Sequence, residues 1–120
     1  MRTLIIDPSK NIDEFISETE IEDWRGITSA IGGPCQMFTT VSTELLEGHT
    51  AYVDDEGLYN GQMHAVGAFY VKDYPSPLAG RAVVRGFDRN TGEDTPCTLS
   101  IEQAQKIFGY PTGLGPLYRA

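Results

Sequence analysis

Arg81-Ala82-Val83-Val84-Arg85-Gly86-Phe87-Asp88-Arg89-Asn90-Thr91-Gly92 is the stretch that decides the fold. Arg81 to Phe87 is rich in strand-forming residues and predicts a β-strand. Asn90-Thr91-Gly92 is a turn. Asp94 to Leu99 reads as the returning strand, with Pro96 restricting it to an edge. Side chains alternate along a strand, so Arg81, Val83, Arg85, Phe87 and Arg89 share one face and Ala82, Val84 and Gly86 the other. The small apolar face is expected against the core. The other face is then expected outward, as a basic stripe with an aromatic in it.

Working outward, the same punctuation recurs. Arg2 to Ile6 is a β-rich run closed by Asp7-Pro8-Ser9-Lys10-Asn11, and Ile12 to Ile16 alternates like a hairpin partner. Thr19-Glu20-Ile21-Glu22 fits a capping box, with Thr19 as N-cap. Ile21, Trp24, Ile27 and Ile31 follow at helical spacing and Gly32-Gly33-Pro34 supplies a stop, so a helix is expected over about 20–31. Further strands are expected over Gln36 to Ser42, His49 to Val53 and Ala65 to Val71, with turns at Glu44 to Glu47, Asp54-Asp55-Glu56-Gly57 and Asn60-Gly61. Ser100-Ile101-Glu102-Gln103 fits a second capping box and opens a short helix over about 101–108. Many strands with two short helices predict an α+β fold, a mostly antiparallel sheet with a helix on one face. One domain is expected over 1–109. Residues 110–120, rich in Gly and Pro, are expected as a tail, ordered if Leu114, Leu117 or Tyr118 docks.

The chain has 120 residues, and 40% of them are hydrophobic, enough for one core and against global disorder. No apolar run approaches the roughly 18 residues that a bilayer demands, and no secretory leader pattern opens the chain. A cytoplasmic protein is expected. Cys35 and Cys97 stand alone, without CxxC spacing, and are expected reduced and at least half-buried.

The net charge of −8 is unevenly laid out. Residues 1–60 hold 12 acids against three bases, a net of −9; residues 61–120 hold five acids against six bases, a net of +1. The densest block runs from Asp7 to Asp23. Such a field repels phosphate chains and attracts basic protein surfaces; it also simply keeps small proteins apart. Direct nucleic-acid binding is not expected of so acidic a chain. The opposite charge biases of the two halves leave a homodimer possible.

Catalytic signatures are missing from the sequence: it has no GxSxG, HExxH, P-loop or GxGxxG. His49, Asp54, Asp55 and His64 match no recognised metal-ligand spacing, and Asp54-Asp55-Glu56-Gly57 lacks the alternate-residue layout of a calcium loop. No cofactor and no metal is expected.

Three features together resemble an uncharacterised family of small phage and mobile-element proteins, known only as a domain of unknown function. They are Leu4-Ile5-Ile6-Asp7-Pro8; Tyr52-Val53-Asp54-Asp55-Glu56-Gly57-Leu58 followed by Asn60-Gly61; and Leu78-Ala79-Gly80-Arg81-Ala82-Val83-Val84-Arg85-Gly86, followed by a polar turn and a C-terminal helix. The resemblance covers roughly residues 1 to 108. It implies a setting in an infected or plasmid-bearing bacterial cell, and it carries no catalytic residue over.

Two functions from different classes follow. In the first, a non-enzymatic binder uses Asp13, Glu14, Glu18, Glu20, Glu22 and Asp23 to dock on a basic host or phage protein, such as a nucleic-acid-handling or defence enzyme that it inhibits. In the second, Arg81, Arg85 and Arg89, with Phe87 and Tyr52 for stacking, hold a nucleotide or another small anionic ligand.

Overall fold

A computed structural model describes residues 1–32, 35, 37–41, 46–57 and 61–119. Its first sheet is built from β1 (Arg2–Ile6), β2 (Ile16–Glu20), β3 (Phe38–Val41), β4 (His49–Asp54), β7 (Ala82–Asp88) and β8 (Glu93–Thr95). The strand order is β2-β1-β7-β4-β3, all antiparallel, with β8 on the far end of β7. The second sheet runs β10-β9-β5-β6, from β5 (Ala68–Val71), β6 (Leu78–Ala79), β9 (Phe108–Thr112) and β10 (Gly115–Leu117). Helix α1 is Trp24–Ile31, α2 is Gln62–Ala65 and α3 is Ile101–Ile107. The α+β class with a mostly antiparallel sheet is as the sequence implies.

Both faces of the first sheet are buried at its centre. On one face Leu4, Ile6, Val41, Ala51, Val53, Ala82 and Val84 pack with Phe69, Val71, Ala104 and Phe108 of the second sheet and α3. On the other, Val83 and Tyr52 pack with Ile27 and Ile31 of α1. Strand β7 therefore has no solvent face along Ala82–Gly86. This corrects the outward basic stripe: Val83 is fully buried and Arg85 is 2% exposed. Two-sided burial gives a strand a near-continuous apolar run rather than alternation, and in Ala82-Val83-Val84 the run is present.

The main helix begins later than expected. Thr19 and Glu20 belong to β2, and Asp23 caps α1, its carboxylate accepting from the amides of Arg25 and Gly26 at 3.1 and 3.2 Å. Pairing β2 with β1 competes with the helix start for Thr19 and Glu20, and the sheet wins. Trp24, which shares the apolar helical spacing of Ile27 and Ile31, is 59% exposed. Gly32 ends the helix with φ of 76°, a left-handed position that suits glycine. Residues 12–14 form a turn rather than a strand, and Ala65 ends α2 rather than opening β5. In α3, Ser100 and Gln103 cap reciprocally, and Phe108 already belongs to β9.

Residues 108–117, largely within the expected tail, form the β9–β10 hairpin, with Pro111 opposite Pro116. The hairpin joins β5 through Tyr70–Gly109 and Val71–Phe108. The expected strand ends at Gln36 and Ser42, the first half of the Glu44–Glu47 turn, Gly33-Pro34, Leu58 and Asn60 lie outside the described residues.

Gly86 marks the tightest point of the sheet. A Cβ there would sit 2.5 Å from the carbonyl oxygen of Pro96 and closer still to Thr95 Oγ1. Overpacking against backbone costs about 1–3 kcal/mol. Gly86→Ala is therefore expected to lower the melting temperature by several degrees in a thermal unfolding scan; an unchanged melting temperature would show that β8 does not press on β7.

Candidate functional site

The acidic residues gather along the β2 edge and its flanks. Antiparallel pairing runs Arg2–Glu20, Leu4–Glu18 and Ile6–Ile16. Glu18, Glu20 and Glu22 are exposed, with side-chain exposures of 49, 72 and 83%. Asp13 and Glu14 lie in the exposed turn before β2. Several of the acids have partners. Glu18 pairs with the Arg2 guanidinium, and Glu20 and Glu22 approach the Met1 amine at 2.7 and 2.6 Å. Asp13 reaches Arg119 at 3.7 Å. Asp23 is committed to the α1 cap. The block thus serves the structure in part, yet its carboxylates stay at the surface.

Between β2 and α1 lies an open groove of about 560 Å³. Ile5, Ser17, Thr19 and Ile21 form part of its floor, Gly26 and Ala30 its helix side, and Glu18, Glu20 and Glu22 border it, Glu18 and Glu20 with their side chains on the opposite face of β2. Asp7 and Arg81 also line it, joined at 2.9 Å. Burial pushes the Asp7 carboxyl up, but hydrogen bonds from Ser9 and Arg81 outweigh it and hold the group below its ordinary value.

The arginines of the proposed stripe are parted. Arg81 faces Asp7. Arg89, eight residues on, lies roughly 25 Å away along an extended chain. It lines a different hollow of about 240 Å³ with Tyr52, Phe87, Thr50 and His49. Arg85 sits buried between them, its Nε 3.5 Å from Asp94 Oδ2 and its Nη2 2.6 Å from Met1 Sδ. Among the described residues Nε has no hydrogen-bond partner. Tyr52 donates to the other oxygen of Asp94 at 2.6 Å. Burial first, then that hydrogen bond, pushes the Tyr52 phenol far above its ordinary value. One carboxylate thus ties β4, β7 and β8 together.

Asp54 ends β4, and Asp55 and Glu56 follow it in a turn. Asp54 is buried and accepts from Gln62 Nε2 at 3.2 Å and from the Glu56 amide at 3.0 Å. His49 stands at the opposite end of β4. Its Nε2 accepts from the Thr98 amide at 3.0 Å, so its Nδ1 donates to the Glu47 carbonyl at 3.1 Å. Among the described residues no three His, Cys, Asp or Glu converge as metal ligands. Cys35 and Cys97 are free thiols, both pushed up by burial. No helix among the described residues is long and apolar enough to cross a membrane.

These features define an α+β domain with a two-faced buried sheet and an acidic open edge. The chain belongs to the family described as Domain of unknown function (DUF3846), whose model matches residues 1–110. No curated protein and no solved structure matches it.

The open β2 edge and its groove were not evident from the sequence, because residues 20–23 read as helix. The Arg85–Asp94–Tyr52 cluster was missed because burial of an arginine leaves no mark in a strand pattern. Removing one partner of a buried ion pair costs about 3–5 kcal/mol when it leaves the other charge buried and unpaired. Asp94→Asn does that to the 2%-exposed Arg85, whereas Arg85→Met leaves Asp94, 26% exposed, with water and the Tyr52 hydroxyl. Asp94→Asn should therefore destabilise far more than Arg85→Met in urea unfolding. The reverse order would show that Arg85 is not held by Asp94.

Proposed function

We propose that this chain is a non-enzymatic binding module that docks on a basic protein through the acidic edge formed by Glu14, Glu18, Glu20 and Glu22, with Asp13 beside them. The supporting observation is that Glu18, Glu20 and Glu22 are exposed along and just beyond an open edge strand that borders a groove. Charged groups so placed steer encounter and select partners by sign. Asp23 acts indirectly, by fixing where α1 starts.

The setting follows the family resemblance: an accessory protein of a phage or mobile element in the bacterial cytoplasm. The partner is then a basic host or phage protein that handles nucleic acid or serves defence, and occupying its basic face would block access by nucleic acid. The protein itself carries a net charge of −8 and does not bind nucleic acid directly. The nucleotide-sequestering alternative required Arg81, Arg85 and Arg89 on one face, and with Arg85 held by Asp94 and the other two parted it is not carried further.

Exposed charge pairs are screened over about 10 Å at 0.1 M salt. Tagged protein incubated with bacterial host lysate should retain a basic nucleic-acid-handling protein at low salt and release it as salt rises. The double variant Glu14→Lys/Glu20→Lys, which leaves the Asp23 cap intact, should retain none. Retention unaffected by salt and by the double variant would contradict the acidic-edge reading.

A further inference from the structure

The ladder between β1 and β2 determines which backbone groups of β2 are open. The Ile21 amide donates to the Met1 carbonyl at 3.1 Å, and the Asp7 amide donates to the Phe15 carbonyl at 2.8 Å. Hydrogen-bonded pairs alternate along an antiparallel ladder. The intervening bonded pairs are therefore Thr3–Thr19 and Ile5–Ser17. Ile16, Glu18 and Glu20 then direct their amides and carbonyls away from β1. β2 ends its sheet, and every residue from Ser17 to Glu20 is exposed. An edge of this kind is a template for another strand.

The side chains restrict which strand can pair there. On a second copy aligned on the same edge, Glu18 and Glu20 would face like charges, which disfavours pairing between copies. A basic strand meets the opposite situation. Its residues facing Glu18 and Glu20 would carry positive charge. Its alternate residues would point to the other face, where the groove floor of Ile5, Ser17, Thr19 and Ile21 lies beside Gly26 and Ala30 of α1. Ile21 fills the space beside Gly26, and Ala30 presents only a methyl group to them.

We infer that the β2 edge binds an extended segment of its partner by strand addition, the segment carrying Lys or Arg at every second position with small or branched apolar residues between. This rests on the acidic-edge reading and specifies its geometry. Backbone pairing supplies register, and the alternating charge supplies selectivity.

The test uses the full chain and a fluorescent peptide alternating lysine with valine and threonine, with blocked ends. Two further versions carry N-methyl groups on alternate backbone nitrogens, one version for each peptide edge. Binding is read by fluorescence anisotropy at low salt. Strand addition uses one edge of the peptide, so one methylated version should bind at least tenfold more weakly and the other close to the parent. Equal affinity of all three would overturn strand addition while leaving the lysate result to judge the acidic-edge reading. Failure of the unmodified peptide to bind would also overturn strand addition.

Discussion

Strand β7 is buried on both faces, and much of the remaining architecture answers to that constraint. A strand hydrogen-bonded to β1, β4 and β8, with the second sheet on one side and α1 on the other, has no water-facing side to carry a charge. Arg85 nevertheless sits in its middle. A buried guanidinium is tolerable only when an anion lies beside it. Asp94 comes from β8, which reaches Arg85 because the Asn90-Thr91-Gly92 turn folds the chain straight back. The second oxygen of Asp94 holds Tyr52 of β4, so the charge pair also fastens the neighbouring strand. Gly86 then lets β8 and the following chain approach without a side chain between them.

The edge of the sheet is treated differently from its centre. β2 spends its hydrogen bonds on β1 alone and displays acids outward. Arg2 joins the two regions: it binds Glu18 on β2 and donates to the carbonyls of Cys97 and Leu99 at 2.7 Å. Arg85 is buried and Arg81 pairs with Asp7, whereas Asp13, Glu14, Glu18, Glu20 and Glu22 stay exposed along the β2 edge and its flanks. Part of the charge imbalance between the two halves of the sequence is in this way converted into a spatial one. That conversion is what makes the edge a candidate for recognition rather than only a solubilising surface.

Much of this was legible in the residues. Arg81 to Phe87 gave β7, Asn90-Thr91-Gly92 gave the turn to β8, and the many short strands gave the α+β class. Thr19 to Glu22 misled because the same residues satisfy a capping box and a strand, and pairing with β1 is a long-range contact that local spacing does not contain. Asp23 was an equally good cap by residue type. The β9–β10 hairpin was hidden by composition: Pro111 and Pro116 read as strand breakers, but they face each other beyond the short stretch that pairs with β5, where no inner ladder bond is lost. The basic stripe failed because alternation assigns side chains to two faces without telling which faces are covered.

Amide hydrogen exchange on the free protein tests the account most directly. The amides of Glu18 and Glu20 should exchange far faster than those of Ser17 and Thr19, which the ladder directs at β1, and Val83 to Arg85 of β7 should be among the slowest. Protection of Glu18 and Glu20 equal to that of Ser17 and Thr19 would mean that the edge is already covered, and the account of β2 as an open acidic docking strand would be contradicted.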